Sequence, residues 1–112
     1  MNAQEAVARG AALLDAKGPS DWRERVRRNG PLTTNAMNHM DTCVIGRVFG
    51  TRNWGAYEAA LRELGVRMEQ DGDVRHGFSA SGADDWQTEM TAIAAAWNAE
   101  LGMALVEEGA TL

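Results

Sequence analysis

The chain has 112 residues, a formal net charge of −5 and a single cysteine. A chain of this length buries enough surface for one core without a metal or a disulfide, so we predict one domain over residues 1–112. One cysteine cannot form an internal disulfide, which favours a reducing compartment. No apolar run is long enough for a signal peptide or a membrane span, so we expect a cytoplasmic protein without a membrane partner.

The charge is divided unevenly along the chain. Residues 1–67 carry ten basic and seven acidic side chains, whereas residues 68–112 carry one basic and nine acidic ones. Binding to nucleic acid depends on clustered Arg and Lys side chains against phosphates. The acidic balance therefore argues against a nucleic-acid partner.

The first third of the chain predicts two helices. The spacing of apolar residues predicts an amphipathic helix over residues 3–16. Gly18 and Pro19 follow it and form a stop signal. A short second helix is predicted over residues 21–28, and its Trp22 should face the core.

The middle of the chain predicts a connector and two more helices. Residues 32–40 alternate weakly between polar and apolar side chains, and we interpret them as a connector with one short extended segment or strand. A third helix is predicted over residues 41–49, with Asp41 as its N-cap; its wide apolar face should make it the most completely buried helix. A fourth helix is predicted over residues 54–64, ended by Gly65.

A polar loop and a long helix are predicted for the remaining chain. Residues 66–83 form the loop, and loops of this length in compact domains tend to be functional or mobile. Residues 84–108 carry apolar side chains at heptad-like spacing, which predicts a helix of about 36 Å. Its end should project or pair with a second copy in a homodimer. The sequence thus predicts a mainly α-helical, compact bundle of four to five helices with a long C-terminal helix.

Short motifs in the chain resemble a known group of proteins. Residues 43–50 read Cys-Val-Ile-Gly-Arg-Val-Phe-Gly, a Leu-Gly pair follows, and His76-Gly77-Phe78 lies downstream. Over about residues 5–100 this resembles small proteins of actinobacteria and their bacteriophages with the pattern Cys-Val-Leu-Gly-Gln-x-Phe-Gly, Leu-Gly and His-Gly-Phe. The chain departs from that pattern at Ile45 and Arg47, where the group has Leu and Gln. The resemblance implies a phage or prophage origin and brings no activity with it.

Few side chains could bind a metal or act as nucleophiles, and they are His39, Asp41, Cys43 and His76. His39 and Cys43 are four residues apart, but His39 precedes the predicted helix and no Cys-x-x-Cys pair completes a zinc site. Apolar neighbours and Asp41 disfavour the thiolate that a nucleophilic Cys43 would need. We assign no catalytic residue, metal or cofactor, and expect a non-enzyme. An enzyme or ligand-binding protein that uses Cys43 and His76 is the alternative.

Contact with a partner is the function that these exclusions leave. The candidate interaction residues, from the short basic helix and the polar loop, are Trp22, Arg23, Arg27, Arg28, His76 and Phe78. A solvated helix face is the plainer explanation of the arginines, and an anchor to the core is the plainer role of Phe78. Trp54, near a helix start, is a further candidate interface anchor. We predict a small phage- or prophage-encoded protein that binds a host protein, with a self-assembling structural protein as another alternative.

Overall fold

Seven α-helices and one 3-10 helix follow one another in this computed structural model, which describes residues 2–82 and 85–103. They are α1 (Ala3–Lys17), α2 (Trp22–Arg27), α3 (Thr34–Met37), α4 (Val44–Phe49), α5 (Trp54–Glu63), the 3-10 helix (Met68–Gln70), α6 (Gly72–Arg75) and α7 (Trp86–Glu100). The described residues are 63% helical and contain no strand. The prediction of a mainly α-helical, compact fold with a long C-terminal helix is confirmed, although the helices outnumber the four or five expected. None of the described helices is long and apolar enough to cross a membrane.

Helices α1 and α7 form the most extensive helix pair of the fold. Each has 15 residues, and each buries an apolar stripe against the other elements. Gly10 lies at their closest approach, because a Cβ atom there would lie 3.0 Å from the Trp97 ring and would clash with the carbonyl oxygen of His76. The absence of a side chain at Gly10 therefore lets α1 reach both α7 and the end of α6.

The side chain of Trp97 joins three parts of the chain at the centre of the core. Its indole Nε1 donates a hydrogen bond of 2.6 Å to the carbonyl oxygen of Gly77. The Trp22 ring meets it edge-on at 6.1 Å, and the Phe78 ring stacks on it at 5.9 Å. Aromatic pairs in these two geometries add stability beyond the area they bury. Trp97 thereby holds α2 and the segment after α6 against α7.

The extended segment predicted within residues 32–40 is wrong, because this stretch forms α3. Thr33 caps the helix, its side-chain oxygen accepting a hydrogen bond of 3.0 Å from the backbone N–H of Ala36. The preceding Leu32 is held by Asn98, whose amide pairs with both backbone groups of Leu32 at 2.7 and 2.9 Å. A helix of one turn is not stable alone. The hydrogen bonds between Leu32 and Asn98 of α7 therefore stabilise α3, and this stabilisation is not visible in the local sequence.

The predicted burial of the third helix is confirmed, but its predicted start is wrong. Val44 and Ile45 are fully buried in α4. The N-cap is Cys43 rather than Asp41, and the Cys43 sulfur accepts a hydrogen bond of 3.4 Å from the backbone N–H of Gly46. Gly46 packs so closely on the Met40–Asp41 backbone that a Cβ atom would clash there. The residues before Cys43 therefore form a turn that covers the helix.

The loop predicted over residues 66–83 contains the 3-10 helix and α6 in its described part, residues 66–82. The two short helices are joined at Asp71, which adopts the left-handed conformation with a φ of 54°. The next residue, Gly72, donates a backbone hydrogen bond of 2.9 Å to Arg67. A Cβ atom at Gly72 would lie 2.6 Å from the Arg67 carbonyl oxygen, so only glycine fits this close turn. The polar composition of this segment predicted a loop, although the segment contains two short helices.

The last helix is shorter than the predicted range of residues 84–108. Asp85 caps α7, and the helix ends at Glu100. Gly102 then adopts a positive φ of 68°, and Met103 donates a hydrogen bond of 2.8 Å to the carbonyl oxygen of Asn98. This is the Schellman arrangement, in which a left-handed glycine closes a helix. Residue 84 and residues 104–108, where the projecting end was predicted, lie outside the described residues.

Candidate functional site

A small pocket opens between the connection from α3 to α4, helices α5 and α6, and the first turns of α7. It encloses about 110 Å³. At roughly 30 Å³ for each water-sized group, this is space for about four such groups. The buried side chains that form its walls are Met37, Cys43, Tyr57, Asp73, Phe78 and Met90. The pocket therefore combines apolar and polar lining groups and contains a carboxyl group.

Exposed residues form the rim of the pocket, and Trp54 is the largest of them. Its side chain is 53% exposed, and it is the one large hydrophobic residue exposed among the residues the structure describes. The ring stacks on the buried ring of Tyr57, with a centroid distance of 5.6 Å. Asn53 caps α5 by accepting a hydrogen bond of 2.9 Å from the N–H of Ala56. The cap and the stacking fix the position of an exposed tryptophan beside the pocket.

Asp73 is the acidic group in the wall of the pocket, and only 8% of the residue is exposed. Its Oδ1 atom accepts a hydrogen bond of 2.9 Å from the backbone N–H of Val74. Burial raises the pKa of this carboxyl group, and the nearby Asp71 adds to the rise. Within the described part of the chain, no Lys or Arg side chain lines the pocket. The carboxyl group of Asp73 is therefore held in the pocket without a cationic partner.

The hydroxyl group of Tyr57 is a second polar group in the pocket. Burial raises its pKa strongly, and the neighbouring Cys43 and Asp73 contribute to the rise. A phenol with a raised pKa keeps its proton at neutral pH. Tyr57 therefore contributes a neutral hydroxyl group to the wall of the pocket.

Cys43 lies in the wall of the pocket as a buried thiol rather than an exposed thiolate. Burial raises its pKa, an effect larger than the opposing hydrogen bonds from backbone N–H groups, of which Gly46 gives the strongest. The thiol remains protonated at neutral pH, and a protonated thiol is a poor nucleophile. His39 lines the same pocket and is exposed. No group of three or more residues that could hold a metal lies within residues 2–82 and 85–103.

Trp22 was predicted to face the core and was also named as a candidate interaction residue, and it lies in the core. Its Nε1 atom donates a hydrogen bond of 2.9 Å to Asp15, and Arg23 lies over its ring at 4.6 Å. Arg23 also forms ion pairs with Asp15 at 3.2 Å and with Glu100 at 3.5 Å. The hydrogen bonds from Trp22 and Arg23 lower the pKa of Asp15. These contacts join α1, α2 and α7.

The remaining arginines of the predicted basic patch differ in how they are held. Arg27 donates a hydrogen bond of 2.9 Å to the carbonyl oxygen of Leu101, at the end of α7. Arg28 is exposed and lies 3.9 Å from Glu24, one turn away. The plainer explanation of these arginines was a solvated helix face. Arg28 fits that explanation, whereas Arg27 is bound to the end of α7.

The two candidates from the polar loop lie next to each other. His76 is half-buried; its Nδ1 atom lies 2.8 Å from the carbonyl oxygen of Gly72, and its ring stacks on Phe78 at 6.2 Å. Phe78 is buried between His76 and Trp97, so it anchors the segment to the core. Of the six candidate interaction residues, Phe78 alone lines the pocket, and Trp54, the further candidate anchor, lines it as well.

Arg47, where the resembling group has Gln, has a structural role. Its Nε atom donates to the carbonyl oxygen of Thr42 at 2.8 Å. Its Nη1 atom donates to the carbonyl oxygens of Val26 at 3.1 Å and Gly30 at 2.6 Å. Burial lowers the pKa of this guanidinium group. Arg47 therefore ties α4 to the end of α2.

Comparison with known proteins gives no match to any family model, curated protein or solved structure. The pocket and its rim are therefore the features from which a function can be inferred. The sequence pointed to Trp54 and Phe78 but not to Tyr57 or Asp73. Asp73 lies in a stretch that was predicted to be a polar loop. The apolar residues of this stretch have no regular spacing from which the burial of Asp73 could be predicted.

Proposed function

We propose that the protein acts by binding a host protein through the pocket and the exposed Trp54 beside it. The observation that carries the proposal is the exposed tryptophan, fixed by stacking at the rim of a small pocket of mixed polarity. Tryptophan is among the residues that contribute most to binding at protein interfaces. A small pocket beside it can receive one side chain of the partner.

Methionine side chains support this role for the pocket. Met37 and Met90 line its walls and Met40 its rim. Methionine is flexible and adapts its shape, which suits surfaces that receive a partner. The basic patch is a weaker candidate surface, because Trp22 is buried and Arg23 and Arg27 form contacts within the protein.

The origin and location of the protein belong to the same proposal. The resemblance of residues 43–50 and 76–78 to actinobacterial and phage proteins supports a phage or prophage origin. A protein of that origin would meet its partner in the host cytoplasm. We propose a modulator of a host protein rather than an enzyme, and the protonated, buried thiol of Cys43 supports this choice.

The test compares capture of partners by the wild type and two variants. The immobilised protein is exposed to actinobacterial lysate, and retained proteins are identified by mass spectrometry. We expect Trp54→Ala to lose a stoichiometric partner, because loss of a hot-spot residue costs about 2 kcal/mol or more, roughly a 30-fold weaker affinity. Arg62→Ala is the matched control, since its side chain is 73% exposed on the same helix. Equal capture by wild type and Trp54→Ala would refute this surface.

Two further measurements separate the alternatives. Arg28→Ala tests the basic patch, because this side chain is exposed and forms only a long ion pair. If Arg28→Ala loses the partner and Trp54→Ala retains it, the contact surface is the patch. Sedimentation at several concentrations tests whether copies associate into a homodimer or a larger assembly. A concentration-dependent mass with no retained host protein would favour the self-assembling alternative.

A further inference from the structure

We infer that the pocket receives the ammonium group of a lysine side chain presented by the partner protein. The inference rests on the proposed function, because it names the chemistry of the contact at that same surface. Three observations carry it: the buried carboxyl group of Asp73, the aromatic lining and the small volume. Each favours a compact cation on a flexible chain.

Charge complementarity is the first observation. Asp73 is more than nine-tenths buried and lines the pocket, yet no Lys or Arg side chain of the described residues lies there with it. A buried carboxylate without a cation is costly, and an opposite charge within about 4–6 Å favours its ionised form. The entry of an ammonium group would therefore relieve a cost that the isolated protein carries.

The aromatic side chains are the second observation. The rings that line the pocket with Asp73 are those of Trp54, Tyr57 and Trp86. Phe78 also lines it, but its ring is stacked between His76 and Trp97. The face of an aromatic ring attracts a cation within about 6 Å, and the attraction grows as water is excluded. Met37 and Met90 complete the walls and can pack against the methylene groups of a lysine side chain.

The existing hydrogen bond of the Asp73 carboxyl group favours an ammonium group over a guanidinium group as its partner. A guanidinium group pairs best with both oxygens of a carboxylate at once. One oxygen of Asp73, Oδ1, already accepts the backbone N–H of Val74. Oδ1 keeps a second lone pair, but Oδ2 is the more available acceptor, which suits the point charge of an ammonium group.

The size of the pocket favours a side chain of a macromolecule over a free amine. A volume of about 110 Å³ admits the end of a lysine side chain and little more. A free amine of that size would leave the ring of Trp54 largely uncovered at the rim. A protein that inserts a lysine would cover Trp54 with the surface around it.

The first experiment titrates the protein with n-butylammonium, an analogue of the lysine side chain, and follows the NMR signals of the Trp54 indole. We expect saturable binding, on the order of millimolar for so small a ligand, that weakens at least tenfold in Asp73→Asn. Asp71→Asn is the matched control: it removes the same charge two residues away, from an exposed residue that does not line the pocket. We expect it to change the affinity less than threefold. Circular dichroism of each variant shows that the fold is retained.

Comparison ligands define the results that would overturn the inference. If 1-pentanol binds as well as n-butylammonium, the pocket recognises an apolar chain and not a cation. If n-butylguanidinium binds more tightly, the recognised side chain is arginine. If n-butylammonium does not bind, or binds Asp73→Asn equally well, the assignment to Asp73 is wrong.

The second experiment separates this inference from the proposed function. The lysate is treated either with an acetylating reagent, which removes the charge of lysine, or by reductive methylation, which keeps it. We expect capture of the partner to be lost after acetylation and retained after methylation. Capture that survives acetylation, or that survives Asp73→Asn, would refute the lysine contact and leave the proposed function standing. Binding of n-butylammonium without any captured partner would refute the proposed function and leave the cation site standing.

Discussion

Replacement of Asn98 by Leu tests the contact that fixes the segment before α3. Asn98 is 3% exposed, and its side chain accepts from the N–H of Leu32 at 2.7 Å and donates to the carbonyl oxygen of Leu32 at 2.9 Å. Leucine has nearly the same shape but no polar atom, so two buried backbone groups lose their partner. Each such group costs about 1–3 kcal/mol, which gives about 2–6 kcal/mol together.

A loss of this size is a large part of the stability of a small domain, which is about 5–15 kcal/mol. We expect Asn98→Leu to lower Tm by at least about 8 °C, because 1 kcal/mol shifts Tm by about 4 °C or more in a domain of this size. Thermal unfolding followed by circular dichroism measures it. Asn35→Leu, at an exposed position in α3, is the control and should leave Tm nearly unchanged.

Hydrogen exchange supplies an independent measure of the same contact. The amide proton of Leu32 should be protected in the wild type and should exchange much faster in Asn98→Leu, because its acceptor is gone. If Tm stays within about 2 °C of the wild type and the Leu32 amide remains protected, then Asn98 does not hold this segment and the reasoning fails.

Three further predictions concern charged and titratable groups. Arg27→Glu should lower the free energy of unfolding, measured by chemical denaturation, by about 1–2 kcal/mol. The hydrogen bond to the Leu101 carbonyl oxygen is lost, and a negative charge is placed at the C-terminal end of α7. Arg28→Glu is the control, and equal stability of the two variants would contradict the role of Arg27. Iodoacetamide at pH 7 should alkylate Cys43 in the denatured protein and hardly at all in the native one, since the thiol is buried and its pKa is raised; native alkylation faster than that of free cysteine would favour the enzyme alternative. Burial raises the pKa of Asp73 in the folded state above its ordinary value of 3.8. The folded protein therefore holds this proton more tightly than the unfolded chain, and ionising Asp73 costs stability once the pH rises above that ordinary value. Asp73→Asn should therefore raise Tm at pH 7 and have little effect below pH 4; a larger gain at low pH would mean that the pKa of Asp73 is lowered by folding instead.

The longer helices could be predicted because their periodicity is visible in the sequence. Helices α1 and α5 begin and end close to the predicted positions, since their apolar stripes are regular and their ends carry recognisable caps. The end of α7 was missed although Gly102 is a suitable C-terminal residue. The apolar residues after Gly102 continue the heptad-like spacing in the sequence. Spacing alone does not show that α7 ends at Glu100.

The one-turn helices α3 and α6 could not be predicted, because contacts distant in sequence stabilise them. A single turn pays the cost of nucleation without the gain of propagation. Helix α3 depends on the pairing of Asn98 with Leu32, which are 66 residues apart. Helix α6 depends on the close turn at Gly72 and on the hydrogen bond from Phe78 to the carbonyl oxygen of Asp73. Such pairs leave no local pattern.

The pocket was only partly visible in the sequence for a related reason. Trp54 could be singled out because an aromatic residue at a helix start is unusual enough to notice. Asp73 could not, because an acidic residue among glycines and polar residues reads as solvent-exposed. It is nevertheless buried, in the wall of a pocket most of whose other residues are distant from it in sequence.

Three arginines that hold this fold together bind backbone carbonyl oxygens. Arg25 donates to Val48, Arg27 to Leu101, and Arg47 to the carbonyl oxygens at three positions. Every residue has a carbonyl oxygen, so an exchange of side chain at an accepting position leaves the bond intact. Lysine cannot replace Arg47, because a single ammonium group does not reproduce the fork of the guanidinium. A substitution at an accepting position therefore acts through the packing of its side chain, as at the buried Val26, Val48 and Leu101, whereas a substitution of the arginine removes the bond itself.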